Sequence, residues 1–375
     1  MSKKEKFKTR SNDEELASRF YTLNAIVAVI LLAAIFVSIS QFGAQAWHGR
    51  RQIALVIPGD KNEQGWNKSH YLAAKNTCDE LNFDLVIREN VPSNIDSCKA
   101  TTDELSKRGV NTIIFANGCN LNSIREFDKI YPKVTFYTIE SISWLSTSGR
   151  YSILSYEASY LAGILAGLHT LTNKIGYIAP FNEPEINQEI NAFAMGAQRV
   201  KPEVEVLVNW TGSWDNPISE EQAIQNLKAE KIDFLAYHQN GETIPNAADR
   251  AAIRFISYNE VYPSHKYCVA AIKIDWKSIY MNLIKYNNTY ESNSNYAFGI
   301  AKNMVELNVL DKISKRERVL IDTAHWELEN GRLIFSGEIF DRYGVQKCAA
   351  NEAISLQSLQ KNMNWLVKGV RIIGN

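Results

Sequence analysis

Aromatic, amide and carboxylate side chains recur in this sequence just after short apolar runs, where a parallel sheet would set them along its carboxyl edge. They are Asp60, Asn117 with Gly118, Glu140, Pro180 with Phe181, Glu185, Trp214 with Asp215, His238-Gln239-Asn240 and Tyr258-Asn259-Glu260. Such a set suits recognition of a polar, planar or hydroxylated small molecule: rings stack, amides donate and accept, and carboxylates accept. It lacks the parts needed to break a bond. The sequence has no phosphate-cradling Walker A loop, no GxGxxG turn, no GxSxG elbow and no HExxH helix. No cofactor and no metal are implied. A hydrolase would need a clustered metal site or a paired acid and base, and Asp60, Glu140 and Glu185 have no DxD-type clustering.

Several of these residues have a structural role open to them as well. Asp60 suits a turn. Glu185, following Pro184, suits the electropositive start of a helix. His238 ends a strand, where its imidazole can be satisfied locally, and Trp214 can close the surface. Asn191 faces inward from mid-helix beside Phe193 and counts as a further candidate.

The frame for these groups is legible in the hydrophobic pattern. Strands are predicted at Gln52–Ile57, Phe83–Ile87, Thr112–Phe115 and Val134–Ile139, with helices at Trp66–Leu81, Ser97–Lys107 and Ser123–Tyr131 between them. The pattern then restarts. Helices Tyr156–Thr170, Glu185–Val200, Glu220–Glu230 and Ile244–Ala252 alternate with strands Lys174–Ala179, Glu205–Trp210, Asp233–His238 and Arg254–Tyr258. Continuous β-rich runs separated by helices predict parallel sheets covered on both faces. The expected class is therefore α/β, with two doubly wound parallel-sheet lobes joined by a hinge and preceded by one N-terminal apolar helix. The expected spans are 50–150 and 260–320 for the first lobe and 151–259 and 321–375 for the second. The chain is expected to cross near Gly149–Ser155, Tyr258–Glu260 and residues 315–325. Ala162, Gly163, Ala166 and Gly167 give one helix a small face for close packing.

Upstream, the uncharged run Ala25–Val37 follows a head, residues 1–24, that holds Lys3, Lys4, Lys6, Lys8, Arg10 and Arg19. Positive charge on that side keeps the head cytoplasmic and sends the rest outward. Residues 25–46 read either as a signal peptide leaving at Ala44-Gln45-Ala46 or as an uncleaved inner-membrane anchor. Lys plus Arg equals Asp plus Glu at 41 each, so no nucleic-acid partner is implied. The five cysteines have no metal-ligand spacing. They are expected either to stay buried as thiols or to pair, with Cys78–Cys98 the favoured pair.

From Ile53 onward the chain resembles the basic membrane protein family of ABC-transporter substrate-binding proteins, the purine-nucleoside-receptor-like members of the type I periplasmic binding fold. The match is carried by GWNKSHYLA (65–73), YEASYLAGILAG (156–167), NKIGYIAP (173–180), PEINQEINAFAMGAQRVKPEVEVLVNWTGSW (184–214), YCVAAIKIDW (267–276) and FSGEIFDRYG (335–344). The resemblance implies a periplasmic protein that closes two lobes on a purine-like solute and passes it to a permease-ATPase in the inner membrane. It implies that Trp66 stacks on the purine ring, that Lys273 reaches ligand hydroxyls and that Glu140 takes a ribose-binding carboxylate's place. Three positions depart from the family's pattern. Ile57 and Asn259 stand where acids are expected, and Glu189 stands where a second stacking aromatic would be, with Phe181 available from the next loop. A membrane-anchored ligand-sensing module of the same fold is the alternative reading.

Overall fold

A computed structural model describes residues 22–37, 50–116, 119, 127, 129–139, 149–260, 262, 264–285 and 295–374. The chain forms two compact units, Met1–Arg51 and Gln52–Asn375. In the first, residues 22–37 are a helix exposed along its length. Among the described residues no helix is long and apolar enough to cross a membrane. The basic head up to residue 21, residues 38–46 and most of the helix expected at Ser123–Tyr131 lie outside the described residues.

The second unit opens with β1 (Gln52–Val56), α1 (Trp66–Leu81), β2 (Asp84–Arg88), α2 (Ile95–Lys107), β3 (Thr112–Phe115), β4 (Thr135–Ile139) and β5 (Gly149–Ile153). It continues through α3 (Tyr156–His169), β6 (Lys174–Ala179), α4 (Pro184–Val200), β7 (Glu205–Trp210), α5 (Pro217–Ala229), β8 (Phe234–Tyr237), α6 (Thr243–Ala251) and β9 (Arg254–Tyr258). Then come β10 (Cys268–Ile274), α7 (Trp276–Lys285), β11 (Asn295–Phe298), β12 (Val305–Val309) and α8 (Lys315–Glu329). A short hairpin, β13 (Ile339–Phe340) with β14 (Gln346–Cys348), α9 (Leu356–Asn362) and β15 (Val370–Ile372) complete it.

Two sheets result, ordered β11-β5-β4-β3-β1-β2 and β12-β10-β9-β8-β6-β7-β15. Every neighbouring pair is parallel except β10 with β12. Each sheet reverses its strand order once, beside β1 in the first and β6 in the second, and such switch points are where α/β sheets hold ligands. Ile53 to Val56 are fully buried, as strands covered on both faces must be. The fold class is the one the sequence predicts.

Residues 260–320 do not stay with one sheet. β10 extends the second sheet beside β9, β11 joins the first beside β5, and β12 returns to the second. The chain therefore crosses at 153–156, 274–276 and 298–305, so the later crossings do not fall at Tyr258–Glu260 or 315–325. The reason is that β10 serves as the fifth parallel strand of the second sheet before the chain leaves. The crossings hold one another. Leu154 N–H donates to Phe298 O at 2.8 Å, Asp275 N–H to Met304 O at 2.9 Å, and Ile300 N–H to Glu157 Oε2 at 2.7 Å. Burial pushes the Glu157 carboxyl up to about 7, against the lowering effect of that Ile300 bond.

The expected small face on α3 packs against α4. A methyl group at Gly163 would land on the Phe193 carbonyl, and one at Gly196 on the Tyr160 carbonyl. Cys98 pairs with Cys119 across a Cα separation of 6.3 Å, leaving Cys78, Cys268 and Cys348 as buried thiols. The expected Cys78–Cys98 pair is thus corrected. Cys78 on α1 packs with Ile53, Leu55 and Ile57, whereas Cys98 on α2 packs with Ala54 and Val56. Alternate residues of β1 point to opposite faces, so the sheet itself stands between those two sulfurs.

Candidate ligand cavity

Carboxyl ends of both sheets converge on a cavity of about 830 Å³. Pro58 and Gly59 follow β1, Ala116 and Cys119 follow β3, and Ile139 and Ile153 end β4 and β5. From the second sheet come His238, Gln239 and Asn240 after β8, and Tyr258, Asn259 and Glu260 at β9. The start of α4 adds Glu185, Gln188 and Glu189.

Trp66 opens α1 and is fixed from behind. Its indole N–H donates to Ala116 O at 2.8 Å. His70, one turn along the helix, lies 4.2 Å from the Trp66 ring and 4.1 Å from the Trp276 ring, centroid to centroid. His70 is fully buried and bonds through Nδ1 to the Tyr280 hydroxyl. Burial lowers its pKa to about 3, so this imidazole is a neutral packing element at any physiological pH. An indole so wedged is held in one orientation, so it has little side-chain freedom left to lose.

Opposite, His238 stacks on Tyr258 with centroids 3.9 Å apart and planes 28° off parallel. Trp214 meets its edge at 5.8 Å. Burial also lowers His238 to about 3, and its Nδ1 is buried without a hydrogen-bond partner. Gln239 is 4% exposed; its amide donates to Thr211 Oγ1, while its Oε1 has no partner.

Asn259 and Glu260 reach from the second sheet's edge to first-sheet elements. Asn259 donates to Ser69 Oγ at 3.1 Å and accepts from the Trp276 indole at 3.3 Å. It sits at φ 63°, a left-handed conformation that asparagine tolerates better than most residues. Doing both tasks needs an amide, which gives a physical reason for Asn where an acid was expected. Glu260 accepts from Gly65 N–H at 3.0 Å and from the Tyr262 hydroxyl at 2.9 Å.

Four carboxylates, Glu63, Glu185, Glu189 and Glu260, line the cavity, and among the described lining residues there is no lysine or arginine. Glu189 is 3% exposed and accepts from the hydroxyls of Ser155 and Ser159. Burial pushes its carboxyl up to about 7. Among the described residues no group of His, Cys, Asp and Glu could hold a metal ion.

Of the residues singled out from sequence, Trp66, Glu185, Trp214, His238, Gln239, Asn240, Tyr258, Asn259 and Glu260 line this cavity. Asp60 caps a turn instead, accepting from Asn62 N–H at 2.7 Å. Phe181 lies behind Trp214 at 6.2 Å. Asn191 pins the C-terminal segment, donating to Trp365 O at 3.0 Å and accepting from Val367 N–H at 2.8 Å. Lys273 pairs with Glu306 of β12 at 3.0 Å, because its neighbour Ile274 takes the cavity-facing side of β10. Asn117, Gly118 and Glu140 lie outside the described residues. Sequence reading missed His70 and Trp276 as supports of Trp66; the signal for His70 was its spacing of four from the tryptophan on one helix face.

Residues 50–327 match the family model described as ABC transporter substrate-binding protein PnrA-like. The chain belongs to this family. Substrate-binding proteins of ABC transporters are extracytoplasmic, bind a small molecule and deliver it to a permease. A purine-binding protein of Brucella abortus is 24% identical over 338 residues, covering 88% of this chain and 95% of that protein. Among solved structures, a transcriptional activator of the comK gene from Bacillus halodurans is similar at a TM-score of 0.66 and 20% identity, over 75% of this chain and 98% of that one. An ABC transporter solute-binding protein from Aeropyrum pernix is similar at 0.65 and 14% identity, over 75% and 91%. Identities this low speak to the fold.

Proposed function

We propose that this PnrA-like protein captures an unphosphorylated purine nucleoside or purine base between its two sheets and hands it to an inner-membrane permease-ATPase. The observation carrying this reading is the cavity itself, with a fixed indole at one side, amides and carboxylates around it, and no cation among its described lining residues. Base stacking on such an indole contributes roughly 1–3 kcal/mol. Vicinal ribose hydroxyls or ring N–H groups would donate to the carboxylates in charge-assisted bonds. A phosphate group would meet four carboxylates instead, with no lysine or arginine among the described lining residues to offset the repulsion. The Brucella relative, a purine-binding protein, supports the same ligand class. The uncharged helix at 22–37 supports export, with the two sheets working outside the cytoplasm. Ligand would favour the closed arrangement through its greater affinity for it, with movement confined to the three crossings.

Calorimetric titration with adenine, guanine and hypoxanthine, their nucleosides, and the matching nucleoside monophosphates tests this directly. Bases or nucleosides are expected to bind, with monophosphates weaker by about tenfold or more. Silence with every base and nucleoside, or tighter binding of the monophosphates, would contradict it.

A further inference from the structure

Buried acceptor capacity at this cavity is only partly used. A carboxylate offers about four acceptor sites; at Glu189 the hydroxyls of Ser155 and Ser159 take one on each oxygen. Glu185, one turn earlier on α4, is a second carboxylate at the same wall, and Gln239 Oε1 is buried with no partner. With no lysine or arginine among the described lining residues, a guest rich in N–H groups is well placed to use that acceptor capacity, because a buried unsatisfied acceptor is costly. Building on the purine reading above, we propose that Glu189 sets specificity by accepting from adjacent ring N–H and exocyclic amino donors, as on the amidine edge of a guanine-type purine. An ionised carboxylate matches that edge at two points. It fits the adenine edge poorly, where a ring acceptor stands beside the amino group.

The match requires the ionised form, so binding of a guanine-type ligand strengthens as pH rises through the range near 7 where burial has moved this carboxyl. Groups facing Glu189 include Tyr156 on α3, Tyr177 on β6 and Glu185 on α4. Both phenols are raised above their ordinary value by burial and stay neutral through that range. Glu157, also near 7, sits at a crossing and would add a slope common to all ligands.

The test is calorimetry on the full chain with guanosine, inosine and adenosine at pH 6 and pH 8. Guanosine is expected to bind best at pH 8, roughly tenfold or more above adenosine, with inosine between them. Its affinity should fall about tenfold at pH 6, following the ionised fraction, while adenosine does not weaken through Glu189, because a protonated carboxyl can donate to its ring acceptor. Glu189→Gln should bring guanosine close to adenosine and remove that extra slope, without changing Tm appreciably. A variant weakened equally for all three nucleosides would mark Glu189 as merely structural and overturn the proposal. Adenosine preferred over guanosine at pH 8 in the wild type would also overturn it, and that arm needs no variant. If none of the three binds, the purine reading fails first and takes this one with it.

Discussion

Replacing Trp66 with alanine is expected to weaken binding of every purine by roughly 10- to 100-fold, with Tm nearly unchanged. The stacking contribution of a base on an indole is about 1–3 kcal/mol, and the upper part of that range applies when the indole is already fixed. Trp66 is fixed by its bond to Ala116 O and by the His70 and Trp276 rings. The side chain is only partly buried, so truncation removes less core than it removes platform. His70→Ala provides the contrast. It empties a fully buried site between two tryptophans and should lower stability as well as affinity. Calorimetry and thermal unfolding of both variants separate the roles. Unchanged affinity in Trp66→Ala would mean the ring sits elsewhere.

Gly163→Ala is expected to destabilise the protein by about 2–4 kcal/mol, lowering Tm by several degrees. The added methyl would collide with the Phe193 carbonyl. Backbone cannot rotate away as a flexible side chain would, so α3 and α4 would have to move apart. Gly196 faces the Tyr160 carbonyl from the other helix in the same way, so the contact is reciprocal and relaxation at one end is blocked at the other. Both helices border the cavity, through Tyr156 at the start of α3 and Glu185 to Glu189 on α4. Gly212→Ala makes a suitable control for added volume: nothing lies within 4 Å of a methyl there, and what remains is its positive φ of 74°. Thermal unfolding in which Gly163→Ala matches wild type would refute the close packing.

That helix pair illustrates what was legible from sequence. A run of alanine and glycine at helical spacing has little reason to persist unless another backbone comes close, so the contact follows from local pattern alone. The alternating strands and helices were legible for the same reason: burial on both faces leaves continuous β-rich runs. Sheet membership at the end of the chain was not. β10 and β11 are both short β-rich segments, and only long-range pairing assigns one to the second sheet and the other to the first. The Cys78–Cys98 expectation failed on a related point, since sequence spacing does not say which face of the sheet each helix covers.

At the site, strand-end position picked out His238 and Asn259, because topology fixes where a carboxyl edge points, whereas Trp66 came from the family resemblance. Position along a strand also explains Lys273, whose side chain leaves on the face opposite Ile274 and meets Glu306. Asn191 shows the limit of reading polarity as function. A buried amide in mid-helix needs partners, and the backbone of residues 365–367 supplies them from far along the chain. Glu189 is the reverse case, a residue noticed as a departure from the family's pattern whose place in the cavity only the fold reveals.

A crystal structure of the protein with guanosine bound would test this mode of capture most directly. The base should lie flat against the Trp66 indole, between the carboxyl ends of β1 and β3 on one side and β8 and β9 on the other, with its amino edge toward Glu189. A nucleoside bound outside this cavity, or one inside it with the ring turned away from that indole, would contradict it.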